Sequence, residues 1–537
     1  MKGLKKYVWL LLAVLLPSGF WSCSDGDEPA REPEVITPPS GGQGENKKDY
    51  YTFKEAYINQ FCYDQMSYYY LWWKDINTGD WLLGDDPIKK VKSIRYEEDH
   101  WSAAIEDITP YTDTSATTYG TYGYDFQPYW ADEEQTHVVA IVTMVYPDSP
   151  ADKAGLKRGS VIMQMDGRNI ENKNEDYNAL LSSASLDLSV YDSETEVTKD
   201  IKMTPTDMYL DPVLFEKVFD CGGKKVGYFY FNDFNSFESG TRLIEVAKKF
   251  KKEGVTELVL DLRYNGGGYV FIEELLASLL VPEANVKNGD LYQTEVYNNS
   301  EYSKVLEAHY GEDYVNTYFS TEFKGKLGDK EYSFDTSDAN IGLNKIYALV
   351  TSGTASASEA TLVGLIPYMD VEVIGQKTGG KHCSGVMLEA QEYYQDYEDY
   401  LAELKKKDMT TYDKLVDGFW KYYSGWKDYV GKWGLYVMIS TYADKNGENP
   451  CRPDGIVPNI EVKDNPEEPY ALGDDRETML RVALTEAGYT DFTPLPESKS
   501  RSAVQGFSEP IVRKSEGKRI LLKPERPLVF SSRSLGM

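Results

Sequence analysis

Glu257-Leu258-Val259-Leu260-Asp261-Leu262-Arg263-Tyr264-Asn265-Gly266-Gly267-Gly268 passes from an apolar run into polar residues and then into three consecutive glycines. The run 257–261 has the unbroken hydrophobicity of a strand covered on both faces, as in a parallel sheet. Upstream, Val226-Gly227-Tyr228-Phe229-Tyr230-Phe231 predicts another strand, and 241–252 predicts an amphipathic helix through Leu243, Ile244, Val246, Ala247 and Phe250. Strand, helix and strand in that order make a βαβ unit. A second unit follows, with an apolar strand at 345–351, a helix at 357–369 and a strand at 371–375. In a parallel sheet the carboxyl ends of two strands open on the same crevice. Three glycines at such an end let backbone amides approach a ligand with no Cβ in the way. Alone, the triplet is only a turn.

The second unit carries Leu349-Val350-Thr351-Ser352-Gly353-Thr354-Ala355-Ser356-Ala357-Ser358-Glu359, where a strand meets a helix through small residues. Such a junction presents a hydroxyl at a helix N-terminus, beside free N–H groups and the positive end of the dipole. The plainer alternative is that Ser356 or Ser358 caps the helix, with Glu359 helping in its first turn. One strand later comes Gly379-Gly380-Lys381-His382. A serine hydroxyl needs a base, and a lysine serves when burial favours its neutral amine.

Before this core, at about 120–206, the periodicity is that of strands. A β-branched run covers 138–145, and Val161-Ile162-Met163-Gln164-Met165 precedes the turn pair Asp166-Gly167. Between them, Ser149-Pro150-Ala151-Asp152-Lys153-Ala154-Gly155-Leu156-Lys157-Arg158-Gly159 predicts a short helix capped by Ser149, begun by Pro150 and closed by Gly155. This stretch resembles a PDZ domain of the bacterial protease type. By that resemblance the backbone of Tyr122, Gly123 and Tyr124 takes a peptide's terminal carboxylate.

DLRYNGGG, then GTASASE, then a lysine 25 residues after the first serine of ASAS resemble the C-terminal-processing (tail-specific) serine proteases, which place a PDZ domain before a Ser–Lys core. The similarity runs over about 50–488 and includes Gly455-Ile456-Val457-Pro458-Asn459-Ile460. It implies an α/β protease core of ClpP/crotonase-like βαβ units, with Ser356 as nucleophile and Lys381 as general base. The amides of Ala357 and of Gly267 or Gly268 would form the oxyanion hole. It implies neither metal nor cofactor. Many members of the family carry a glutamine four residues after the base; here Gly385 stands there, and His382, Ser384 and Glu359 are the candidates for its role. Three other matches are weaker. GxxxxGK at 375–381 is followed by His382 where a phosphate loop needs Ser or Thr. Ser424-Gly425-Trp426-Lys427 fits SxxK without its partner motifs. Ser356 with His382 and a carboxylate would be a triad.

The rest of the chain sets the context. In 537 residues, 57 Lys and Arg face 87 Asp and Glu, a formal charge of −30 that argues against nucleic acid as the main partner. With no CxxC pair and no HExxH, a zinc ribbon or zincin is disfavoured. Lys2, Lys5 and Lys6 precede an apolar run at 7–16 that is too short to span a bilayer, and Phe20-Trp21-Ser22-Cys23 resembles a bacterial lipoprotein signal with Cys23 lipidated. The expected division is a signal peptide at 1–22, a tether at 23–49, an N-terminal helical module at 50–107, and a PDZ domain at 108–210. A protease core at 211–490 follows, with a helical insertion at about 391–433, and then a basic tail at 491–537. The tail is read as disordered or docked on the acidic body, and its apolar end Ser534-Leu535-Gly536-Met537 as a candidate occupant of the protein's own groove. Cys62, Cys221, Cys383 and Cys451 allow three complete disulfide pairings. The chain is thus expected to be a serine endopeptidase of the cell envelope, held to the outer membrane through a lipid at Cys23, that cleaves polypeptides with an accessible C-terminus. A non-catalytic surface lipoprotein that binds peptide or glycan through the PDZ groove and the Tyr-rich insertion is the alternative.

Overall fold

The computed structural model of the chain describes residues 53–495 apart from 77–84, 109–115, 193–194, 299, 328–329, 417–420, 466–467 and 469, together with 511 and 518–520. The signal, Cys23, the tether and the apolar C-terminal end lie outside these residues. Both predicted βαβ units enter one six-stranded sheet, in the order Val213–Cys221, Lys224–Phe231, Val255–Asp261, Lys345–Val350, Asp370–Gly375, Ile460–Glu461. The first pair is antiparallel and the others are parallel. Val255–Asp261 and Lys345–Val350 are neighbours, with Asp261 opposite Leu349, so the glycine loop and the serine junction leave the sheet from the same end. The helix of the first unit, Phe237–Glu253, starts four residues before the predicted position because Ser236 caps it, accepting from the Ser239 N–H. Gly254, at φ 76°, closes it. Leu243, Val246, Ala247 and Phe250 are its buried side.

A second sheet covers the cleft side. Its order is Gly267–Tyr269, Lys518–Ile520, Cys383–Glu389, Gly434–Ala443, Leu291–Tyr297, Asn316–Tyr318, with Ala103–Ile105 paired to Gly434–Ala443. The insertion is helical, as Ala390–Lys407, Met409–Leu415, Lys421–Tyr423 and Lys427–Val430. It packs on the N-terminal helix Lys54–Tyr69 through aromatic residues. Tyr394 Oη donates to the Tyr57 carbonyl at 2.6 Å, Tyr393 Oη to Asp64 at 2.5 Å, and the Phe61 and Tyr393 rings lie 5.5 Å apart. Tyr57, Phe61, Tyr393 and Tyr394 are buried. These rings cement two helical modules, because amphipathic aromatics bury their bodies while their hydroxyls find acceptors.

The PDZ segment is an antiparallel sheet in the order Tyr124–Trp130, Val138–Val145, Ser160–Met165, Leu186–Asp192, Val197–Met203, flanked by the helix Asn174–Ser182. Asp166 and Gly167, at φ 48° and 73°, make the predicted tight turn. Pro150–Lys153 is the predicted short helix, with Ser149 accepting from the Asp152 N–H at 3.1 Å. The pairings considered for the four described cysteines are not made. Cys62, Cys221, Cys383 and Cys451 are buried thiols, not disulfides.

Candidate active site

The strand Lys345–Val350 ends at Thr351, and the helix Ala357–Leu365 begins one residue after Ser356. Polar side chains tie the connecting turn to the glycine loop. Thr354 Oγ1 donates to the Leu262 carbonyl at 2.8 Å, Thr351 Oγ1 donates to that of Arg263, and the Ala355 N–H donates to that of Asn265 at 3.1 Å. The two candidate serines then separate. Ser358 Oγ donates to the Asn265 carbonyl at 2.9 Å, a structural bond. Ser356 Oγ is buried and has no hydrogen-bond partner among the described residues. Ser356 also has φ 64° and ψ −114°, a conformation that costs a non-glycine residue about 1–3 kcal/mol. A serine present only to cap the helix would put its oxygen on the first-turn amides from an extended backbone. Ser356 and Glu359 do stand as a capping box at this helix, as the plainer alternative expected, but from the strained backbone the Ser356 hydroxyl completes no hydrogen bond.

Glu359 holds it. Its buried carboxylate accepts from the Ser356 N–H at 2.7 Å, the Gly380 N–H at 2.7 Å, the Lys381 N–H at 2.9 Å and Thr378 Oγ1. One side chain thus fixes the backbones of both the candidate nucleophile and the candidate base. Burial pushes the Glu359 carboxyl above its ordinary value, and these donors pull it back.

Lys381 is fully buried, and its Nζ donates to Tyr436 Oη at 3.0 Å. Tyr436 lies on the strand Gly434–Ala443 and was not among the sequence candidates. The reason is visible at Gly385. A Cβ there would stand 2.8 Å from Tyr436 Cε2, 2.9 Å from its Cζ and 2.4 Å from Met438 Cε, so the tyrosine ring occupies the space a longer side chain at 385 would need. Of the three sequence candidates for the third role, Glu359 reaches the site through its bonds to the Ser356 and Lys381 N–H groups. His382 packs against Trp101, with ring centroids 5.9 Å apart, and Ser384 Oγ donates to Glu295 at 3.0 Å. No group of three or more metal-ligating side chains occurs among the described residues.

The glycine loop is anchored from below. Fully buried Arg263 forks onto Asp261 (2.9 Å) and Glu477 (2.6 Å) and reaches Asp464 (3.1 Å). Burial opposes ionisation of Glu477, but Arg263 and Arg158 hold its carboxyl below the ordinary carboxylate range. Arg158, from the PDZ signature stretch, donates to Asp464 at 2.8 Å and to Tyr264 Oη at 2.7 Å. The PDZ segment therefore touches the loop that carries the glycines. In that loop the Gly267 N–H donates to Asn265 Oδ1 at 2.9 Å. Gly268 has φ 153°, and a Cβ there would lie 2.5 Å from the Phe234 carbonyl carbon, so only glycine fits.

In the PDZ segment, Tyr122 and Tyr124 turn their rings into the core and donate to the carbonyls of Ser183 and Leu180, each at 2.7 Å. Gly123, at φ 72°, donates its N–H to Thr121 Oγ1 at 3.1 Å. The backbone there is engaged too, the carbonyls of Tyr122 and Gly123 accepting from the N–H groups of Ala151 at 3.0 Å and Tyr146 at 2.9 Å.

Residues 225–462 match the model of peptidase family S41, and residues 141–190 match that of a PDZ domain. A Staphylococcus aureus protein described as a probable CtpA-like serine protease is 24% identical over 321 residues, covering 58% of this chain and 56% of that protein. The chain thus aligns with little more than half the length of such curated relatives. A carboxyl-terminal-processing protease of Picosynechococcus is 31% identical over 131 residues, which are 24% of this chain and 31% of that protein. The crystal structure of a Bacteroides fragilis protein named as an S41 protease superposes with a TM-score of 0.56 at 23% identity, over 80% of this chain and 98% of that one. That likeness is one of fold.

Proposed function

Since this chain joins a peptidase family S41 core to a PDZ domain, as C-terminal-processing PDZ proteases do, we propose that it is a serine endopeptidase working through a Ser356–Lys381 dyad. The observation that carries the reading is the buried, unpartnered Ser356 hydroxyl on a strained helix N-cap, joined through Glu359 to the backbone of Lys381. Neutral Lys381 takes the proton from Ser356 Oγ as that oxygen bonds to the scissile carbonyl carbon. The resulting oxyanion is stabilised by the amides of Ala357 and Gly268, since the Gly267 amide already donates to Asn265. The C–N bond then breaks, the leaving amine receives the proton from the Lys381 ammonium, and water releases the acyl group by the reverse sequence. Full burial supports a neutral lysine, because low dielectric disfavours an ammonium. Tyr436 is the positioning residue for the amine.

The substrate would be a polypeptide presented by its C-terminus to the backbone of 122–124, with Arg158 linking that domain to the glycine loop. The leader residues support export as a lipoprotein lipidated at Cys23. The test is hydrolysis of an unfolded protein together with labelling by a fluorophosphonate probe. Wild type should do both and Ser356→Ala neither, while Lys381→Ala should lose hydrolysis. Equal hydrolysis by all three would overturn the dyad.

A further inference from the structure

Lys518–Ile520 belongs to the basic tail, yet it lies inside the second sheet. It runs parallel to Gly267–Tyr269, with Gly267 opposite Lys518, Gly268 opposite Arg519 and Tyr269 opposite Ile520. On its other side Ile520 meets Gly385 of the strand Cys383–Glu389, which begins two residues after Lys381. The tail strand therefore fills the gap between the candidate oxyanion strand and the strand leaving the candidate base. Three of its four paired residues, Gly267, Gly268 and Gly385, are glycines. A slot walled this way reads main chain, and main-chain pairing of an added strand gives affinity with little demand on sequence.

The same tail touches the PDZ segment. The Ile511 N–H donates to the Pro128 carbonyl at 2.9 Å, and Gln127 Nε2 donates to the Ile511 carbonyl at 2.9 Å. Ile511 also packs on the PDZ hydrophobic core. Tyr124–Trp130 pairs with Val138–Val145, and Ile511 sits beside this strand as an added peptide would. Residues 497–537 carry nine Lys and Arg against four Glu. That basic charge belongs to a chain whose net charge is −30, and opposite charge favours association.

We propose that the tail is a peptide ligand of its own enzyme, with Ile511 docking on the PDZ edge and 518–520 occupying the strand position where a substrate would lie in the catalytic cleft. The proposal rests on the protease reading above. A three-residue parallel strand is a weak interaction by itself. Tethering compensates, because a flexible linker supplies an effective concentration on the order of millimolar. If the free tail peptide bound with a Kd of about 0.1 mM, that tether would weaken a competing substrate about tenfold.

The test uses the full chain with Arg519→Pro, which removes a strand N–H and fixes φ, and separately with Ile511→Asp. Each should raise kcat/KM on an unfolded protein about tenfold, chiefly through KM, with melting temperature retained. A synthetic peptide of residues 509–522 should inhibit Arg519→Pro competitively, and a scrambled peptide should not. Unchanged or lowered kcat/KM in both variants would overturn the proposal, since the strand would then be a fixed part of the cleft or no competitor. Binding of the fluorescent peptide to the Ser356→Ala, Arg519→Pro protein, read by anisotropy, requires no catalysis. If no form hydrolyses anything in a Ser356-dependent way, the protease reading fails, and this binding still decides the tail: saturable binding supports docking and its absence refutes it.

Discussion

Replacing Tyr436 by Phe removes one oxygen and leaves the ring, whose centroid is 4.7 Å from Lys381 Nζ and whose edge fills the space over Gly385. Packing is thereby kept, and the perturbation removes the acceptor of a 3.0 Å hydrogen bond from a buried amine. Removing one partner of a buried hydrogen bond costs about 1–3 kcal/mol. If that cost falls on the reactive placement of the amine, kcat/KM drops about 5- to 150-fold. The assay is steady-state hydrolysis of a fluorogenic unfolded polypeptide, run beside the rate of fluorophosphonate labelling of Ser356 and a thermal melt. Tyr442→Phe is the matched control, because Tyr442 Oη donates to the Lys381 backbone carbonyl at 3.2 Å. It should lower stability by a similar amount, since Tyr442 is buried as well, while kcat and the labelling rate fall far less than in Tyr436→Phe. The positioning role is refuted if Tyr436→Phe retains wild-type kcat/KM, or if Tyr442→Phe falls equally far.

Glu359→Gln would place an amide NH2 among the donors that now face this carboxylate, so activity should drop at least a hundredfold and urea unfolding should show a loss of about 1–3 kcal/mol; wild-type labelling of Ser356 would contradict the role given to this carboxylate. Gly268→Ala puts a methyl 2.5 Å from the Phe234 carbonyl carbon, so fluorophosphonate labelling should disappear while Gly254→Ala, with nothing within 4 Å of its added Cβ, keeps it. Glu477 is held below its ordinary value of 4.5 by Arg263 against the effect of burial. Its share of stability is therefore complete above pH 4.5 and lost as pH falls below that value, and Glu477→Gln should flatten this part of the stability–pH curve measured by urea titration.

Much of the fold is written in local pattern. The runs at 226–231, 257–261 and 345–351 become strands because continuous apolar residues need cover on both faces, and the Asp166-Gly167 turn and the Ser149 cap follow from the conformations those residues tolerate. The site was legible only in its outline. Local chemistry alone does not separate Ser356 from Ser358, and only the resemblance chose Ser356; in the structure the Asn265 carbonyl, 93 residues away in the chain, accepts from Ser358 while the Ser356 hydroxyl has no hydrogen-bond partner among the described residues. Glu359 stood in view as a first-turn acid, but its donors come from Thr378, Gly380 and Lys381 as well as from Ser356.

By itself, then, the sequence determined the βαβ units, the PDZ strands and helix caps, and the placing of a serine and a lysine beyond the carboxyl ends of two parallel strands of one sheet. These depend on periodicity and backbone preference, which act over a few residues. Only the tertiary structure decided that Tyr436 meets Lys381 across 55 residues of chain and that a tail strand lies along Gly267–Tyr269. A single hydrogen bond between distant side chains leaves no periodic trace, and a strand paired to glycine backbone imposes no side-chain pattern on its partner. Both are products of where the folded chain brings its parts together.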